Sequence, residues 1–226
     1  MELEYKFEIT EDDLERLCWI VKCDSIRLNR KTDFYFENEE KQKSLRNCRY
    51  INRVRMVEFH NLYTENLRIG LHMSDVFRLP LDKKEYFITH KLRRTVDGNE
   101  INEEEELPVS ESQFYLIREM MSSLNTKGNY CFTKIKSCLS FEKLNNIPTK
   151  LANNDVNVNI DISKITASDG DHYWFEIEAV GGYKLDSNTV FKNLDILCTD
   201  LGLKDYLNKK DGRMWKEILK GYGINN

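Results

Sequence analysis

At 226 residues with 40% hydrophobic side chains, the chain is long enough to bury a full core, and we read it as one domain spanning residues 1–226. Its 34 basic and 38 acidic residues leave a net charge of −4, which argues against a base-coated surface for extended nucleic acid but not against a basic interior. Charged residues reach 32%, above the roughly 25% usual in soluble domains, while no run approaches the roughly 18 apolar residues needed to span a membrane.

The opening ELEYKF alternates Glu2, Glu4 and Lys6 with Leu3, Tyr5 and Phe7, the period of a strand whose successive side chains point to opposite faces. Residues 10–22 predict a helix, capped by Thr10, acidic in its first turn, with Leu14, Leu17, Cys18 and Val21 as one apolar stripe. Strands follow over 31–38 and 49–59, the second with Val54 and Met56 opposite Arg53 and Arg55, and a further one is expected over 66–73. The stretch 85–94 places Thr89, Lys91 and Arg93 on the face opposite Ile88 and Leu92. In 101–109, parity sets Glu104 and Glu106 against Ile101, Leu107 and Val109. Residues 110–125 predict a helix with a Ser110/Gln113 capping box and Phe114, Ile117, Met121 and Leu124 inward. Strand character returns over 129–143, with Lys134 and Lys136 on one face, then over 156–163 and 171–180, where Asp161, Glu176 and Glu178 oppose apolar neighbours. A helix over 187–202 ends at Gly202, and a short one is expected over 212–223.

The cysteines at 18, 23, 48, 131, 138 and 198 form no C-x-x-C pair, and none of His60, His72, His90 and His172 stands at nucleophile or metal spacing. With an acidic N-terminus that enters a strand at once, the expectation is a cytoplasmic protein with reduced thiols and no signal peptide. At least six strands share an apolar side and a charged side. A closed barrel accounts for this if helices cover the apolar outside and the charges line the bore. Grouped lysines and arginines would hold a polyanion, and paired carboxylates are hard ligands for Mg²⁺ or Mn²⁺.

These residues resemble a known family. Glu2-Leu3-Glu4-Tyr5-Lys6 matches the E-x-E-x-K signature of the CYTH superfamily, the triphosphate tunnel metalloenzymes, and the later strands are similar in collinear order. Residues 32–38 look like the second strand, Arg53-Val54-Arg55 like the R-x-R strand, Ile88 to Lys91 like the T-x-K strand and Glu176-Ile177-Glu178 like the closing E-x-E. Arg68, in the segment 60–84 that separates the R-x-R and T-x-K strands, is an alternative arginine, and no arginine stands just after Lys136. The resemblance implies an α+β fold, an eight-stranded antiparallel β-barrel with helices packed outside. It implies Mg²⁺ or Mn²⁺ held by Glu2, Glu4, Asp161, Glu176 and Glu178, and phosphates gripped by Lys6, Arg53, Arg55, Lys91, Arg93, Lys134 and Lys136. Lys6, Lys91 and Glu4 would be catalytic. The partner is then a small-molecule triphosphate or nucleotide, with no membrane, and a homodimer is left open. The activity implied is hydrolysis of tripolyphosphate, thiamine triphosphate or a nucleoside triphosphate. Alternatives are a class IV-type adenylyl cyclase, an RNA 5′-triphosphatase, and a binding module without turnover. Trp174, sharing the parity of Glu176, is a candidate for contact with the organic end of a substrate.

Overall fold

The computed structural model describes residues 2–38, 48–63, 72–96, 99–124, 129–145, 156–167, 170–181 and 186–207. Eight strands, β1 (Glu2–Ile9), β2 (Cys23–Asn38), β3 (Cys48–Tyr63), β4 (Lys83–Val96), β5 (Asn99–Val109), β6 (Asn129–Leu144), β7 (Asn157–Ala167) and β8 (Gly170–Val180), close in the order β1-β5-β4-β3-β2-β6-β7-β8. Every neighbouring pair is antiparallel. The helices are α1 (Glu11–Ile20), α2 (Met73–Val76), α3 (Glu111–Ser123), α4 (Ser187–Asp200) and α5 (Lys204–Leu207). None is long and apolar enough to cross a membrane.

Parity along the strands explains where the core lies. Leu3, Tyr5, Phe7 and Ile9 of β1 all face outward and are buried, joined by Ile160, Ile162, Phe175 and Ile177 of β7 and β8. Leu14 and Leu17 of α1 and Val190, Phe191, Leu194 and Leu197 of α4 cover them, with Tyr5 stacked on Phe191 at 5.3 Å. A second, smaller cluster forms where Phe114 of α3 meets Val54 and Tyr86. Because the apolar groups are outside the barrel, the alternate positions have no core to fill. They are the charged ones.

The local signals act as their chemistry dictates. Thr10 caps α1, accepting from the Asp13 N–H at 3.1 Å, and Ser110 and Gln113 form the reciprocal capping box of α3. Leu124, expected inward, is 54% exposed; it is the C-cap of α3, past the stripe of Phe114, Ile117 and Met121 that packs on the barrel. Of the strand expected over 66–73, residues 66–71, with Arg68, lie outside the described residues. His72 and Met73 instead cap and begin α2. The helix expected over 212–223 also lies outside them.

Gly202 ends α4 at φ +72°, where the Leu203 N–H reaches Cys198 O at 2.8 Å and the Gly202 N–H reaches Thr199 O at 2.9 Å. A Cβ there would stand 2.7 Å from Arg16 Nη1, the atom that donates to Leu201 O at 2.7 Å. Gly202→Ala should therefore destabilise the fold by about 1–2 kcal/mol, through the left-handed backbone and the displaced arginine. A urea midpoint equal to wild type would contradict this.

Candidate functional site: the charged bore

The barrel encloses a cavity of about 720 Å³ lined mainly by ionisable side chains. All the acids and bases read from the sequence as metal ligands or phosphate grips, apart from the alternative Arg68, line it: Glu2, Glu4 and Lys6 from β1, Arg53 and Arg55 from β3, Lys91 and Arg93 from β4, Lys134 and Lys136 from β6, Asp161 from β7, and Glu176 and Glu178 from β8. Glu104 and Glu106 of β5 join them. Lys31, Asp33 and Tyr35 of β2 complete the wall, and motif reasoning missed all three. Their signal was their place in 31–38, alternating with the apolar Phe34 and Phe36. Trp174 does not line the cavity: it is 1% exposed, walled in beside Glu8 and Ser163 on the adjoining strands. The four histidines do not line it either.

Cross-strand register decides which charges meet. Glu4 of β1 stands directly opposite Glu178 of β8, and Lys6 stands opposite Glu176. Carboxylate oxygens of Glu2, Glu4 and Glu178 can lie within 4.8 Å of one another. Glu176 falls outside that group. It accepts from Lys6 at 2.8 Å, Lys136 at 3.0 Å and the Ser163 hydroxyl at 2.9 Å. Asp161 falls outside it as well and lies 3.5 Å from Lys31. The five carboxylates read together as metal ligands thus divide into a group of three, a buried counter-ion and a lysine partner.

The opposite wall is held by crossed ion pairs. Asp33 takes Arg55 through both oxygens, at 2.6 and 3.0 Å. Glu104 takes Arg53 at 2.8 Å and Lys91 at 3.0 Å, and Lys91 also reaches Glu2 at 3.3 Å. Glu106 accepts from Thr89 at 3.1 Å and from Arg55 at 3.3 Å. Arg93 donates to Asn102 at 3.3 Å.

Titration behaviour follows this layout. Glu178 is pushed up to about 8 by burial, then by Asp161, Glu4 and Glu2 around it. Glu2 is also raised, chiefly by burial, against the pull of Lys91. Glu176 and Asp33 are equally buried, yet their cations win: Lys136 and Lys6 hold Glu176 well below the usual carboxylate range, and Arg55 and Arg53 do so for Asp33. Lys134 is pushed well down by burial and by Lys136 and Lys6. Glu4 adds to burial in raising both Glu2 and Glu178, and three carboxylates so grouped, with no nitrogen or sulfur donor among them, suit a hard divalent cation.

No protein-family model matches the sequence, and no curated protein matches it. Solved structures do match in fold. A protein from Pyrococcus furiosus aligns over 96% of this chain and 99% of its own, at 18% identity and TM-score 0.57. One from Pyrococcus horikoshii covers 89% and 90%, at 14% identity and TM-score 0.55. A proposed adenylate cyclase from Vibrio parahaemolyticus covers 97% of each chain, at 12% identity and TM-score 0.52. These likenesses define the class: an α+β protein built on a closed eight-stranded antiparallel barrel. The architecture is the triphosphate tunnel fold to which the sequence motifs are similar.

Proposed function

We propose that the chain is a divalent-metal-dependent enzyme acting on triphosphates, a phosphohydrolase of tripolyphosphate, thiamine triphosphate or a nucleoside triphosphate. One observation carries the reading: the bore sets like charges opposite each other in both signs, Glu4 against Glu178 and Lys31 against Lys136. Such pairs are unfavourable in a sheet. A cation would answer the first, and a phosphate would give Lys31 and Lys136 a shared partner beyond the Asp161 and Glu176 that each already faces. Glu2, Glu4 and Glu178 would hold Mg²⁺ or Mn²⁺, which when bound supplies Lewis-acid polarisation of a phosphoryl oxygen. Lys6, Lys31, Lys134 and Lys136, with Arg53, Arg55, Lys91 and Arg93, would grip the phosphates and offset charge that develops as the terminal phosphoryl is transferred to water. Lys134 would regain its full charge as the polyanion approaches.

The pH dependence follows from Glu178. Its neutral form is favoured in the folded protein, so the stability it contributes is complete below the ordinary glutamate value of 4.5 and is lost as pH rises through about 8. Cation binding needs the ionised form and therefore strengthens over the same interval. The metal-free protein should melt lower at pH 9 than at pH 6, while the rise given by Mn²⁺ grows. Glu178→Gln should flatten both trends. A wild-type Mn²⁺ response independent of pH would remove Glu178 from the cation site.

A second reading, cyclisation of ATP, takes support from the Vibrio neighbour's description. Incubation with Mg²⁺ or Mn²⁺ and a panel of tripolyphosphate, thiamine triphosphate and ATP separates the cases. Released phosphate is expected. Cyclic AMP with pyrophosphate would favour the second reading, and unchanged ligand would refute both in favour of a binding module.

A further inference from the structure

Asp33 of β2 is 1% exposed and stands directly opposite Arg55 of β3. Arg55 donates to it through Nε and Nη2, the Tyr35 hydroxyl donates to Oδ2 at 3.1 Å, and Arg53 Nη1 lies 3.6 Å from the same oxygen. A forked contact from one guanidinium and a second from its neighbour is also how arginines recognise phosphate. We infer that Asp33 is an internal counter-anion, occupying donors with which Arg55 and Arg53 would otherwise grip a phosphate, so that the bore holds a polyanion tightly only together with a cation. The inference rests on the triphosphate reading of the bore.

Two observations favour this over an ion pair kept only for the fold. Both arginines line the cavity and so face the space a ligand would enter. Stability alone does not call for such a cluster, since buried ion pairs are often matched by apolar residues of similar volume. The second observation is charge balance. Among the described residues, nine carboxylates and eight cationic side chains line the cavity. The bore offers no surplus of positive charge to a ligand carrying several negative ones. Removing the Asp33 charge while keeping its shape balances the count and releases the fork of Arg55. Asp33 is then a specificity-determining residue that acts through the arginines and touches no reacting atom.

Isothermal titration of tripolyphosphate into wild type and Asp33→Asn, in EDTA and in Mg²⁺, tests this. Wild type should bind weakly in EDTA and much more tightly with Mg²⁺. Asp33→Asn should bind in EDTA roughly tenfold or more tighter than wild type, the effect of one unit charge a few ångströms away in a partly screened interior. Its gain on adding Mg²⁺ should shrink by a similar factor. Glu106→Gln removes the more exposed carboxylate 3.3 Å from Arg55. It should shift metal-free affinity the same way by about threefold, and it decides the matter if Asp33→Asn fails to fold by circular dichroism. Metal-free affinity unchanged or weaker in the folded variants, with wild type binding in Mg²⁺, would overturn this inference and leave the triphosphate reading standing. No binding by wild type in Mg²⁺ would overturn that reading, and this inference with it.

Discussion

Glu4→Gln should lose metal-dependent turnover by roughly a hundredfold or more, while its metal-free form melts no lower than wild type. The reason lies in the register that sets Glu4 opposite Glu178, with Glu2 close to both. In the metal-free protein these carboxylates repel one another, which adds to burial in raising the proton affinity of Glu178 and Glu2. Replacing one with a neutral isostere deletes a repulsion, so stability holds or rises. It also deletes a cation ligand. The melting rise produced by Mn²⁺ with tripolyphosphate, which follows RT ln(1+[L]/Kd), should shrink sharply. An exposed strand face would behave otherwise, with changes within about 0.5 kcal/mol and equal ligand responses in both proteins. Equal responses would move Glu4 out of the site.

Glu176→Ala should have the opposite signature, a large loss of stability before any question of turnover arises. Glu176 is 5% exposed and is the common acceptor of Lys6, Lys136 and Ser163. Without it, Lys6 and Lys136 lose their shared acceptor near Lys134, whose pKa burial and then their charges already lower. Breaking a buried pair from one side typically costs about 3–5 kcal/mol, and here one carboxylate serves two ammonium groups. The expected result is a denaturation midpoint far below wild type, partly restored by millimolar tripolyphosphate, because a polyanion can take the place of the missing charge. A midpoint near wild type would mean that the lysines find other partners, and the division between Glu176 and the group of three would not hold.

The contrast between Glu4 and Glu176 marks what could be read from the sequence. Parity alone placed both in the bore, since alternation with Leu3, Tyr5 and Phe7 on one strand and with Phe175 and Ile177 on the other fixes which way each side chain points. The barrel followed from the same rule, because so many two-faced strands need closure. Parity does not say what stands across the gap. Glu176 and Glu178 share a strand face two residues apart, yet one meets Lys6 and the other meets Glu4. That outcome depends on register between the first and last strands. Asp33 was hidden for the same reason: its partner Arg55 is 22 residues away on β3, and no local pattern links them. The first half of β2 was overlooked although Ile26 and Leu28 alternate with Arg27 and Asn29, a signal weakened by the bases between them. Leu124 kept helical spacing but fell at the cap, where spacing no longer reports on packing.

Diffraction at the manganese absorption edge, from crystals grown with Mn²⁺ and tripolyphosphate, would locate the cation and the phosphates in the bore. An anomalous peak is expected within coordination distance of Glu2, Glu4 and Glu178, with phosphate density reaching from it toward Lys6, Lys134 and Lys136. A peak held instead by Glu176 or Asp161, or a bore that stays free of both ions at saturating ligand, would contradict the proposed cation site.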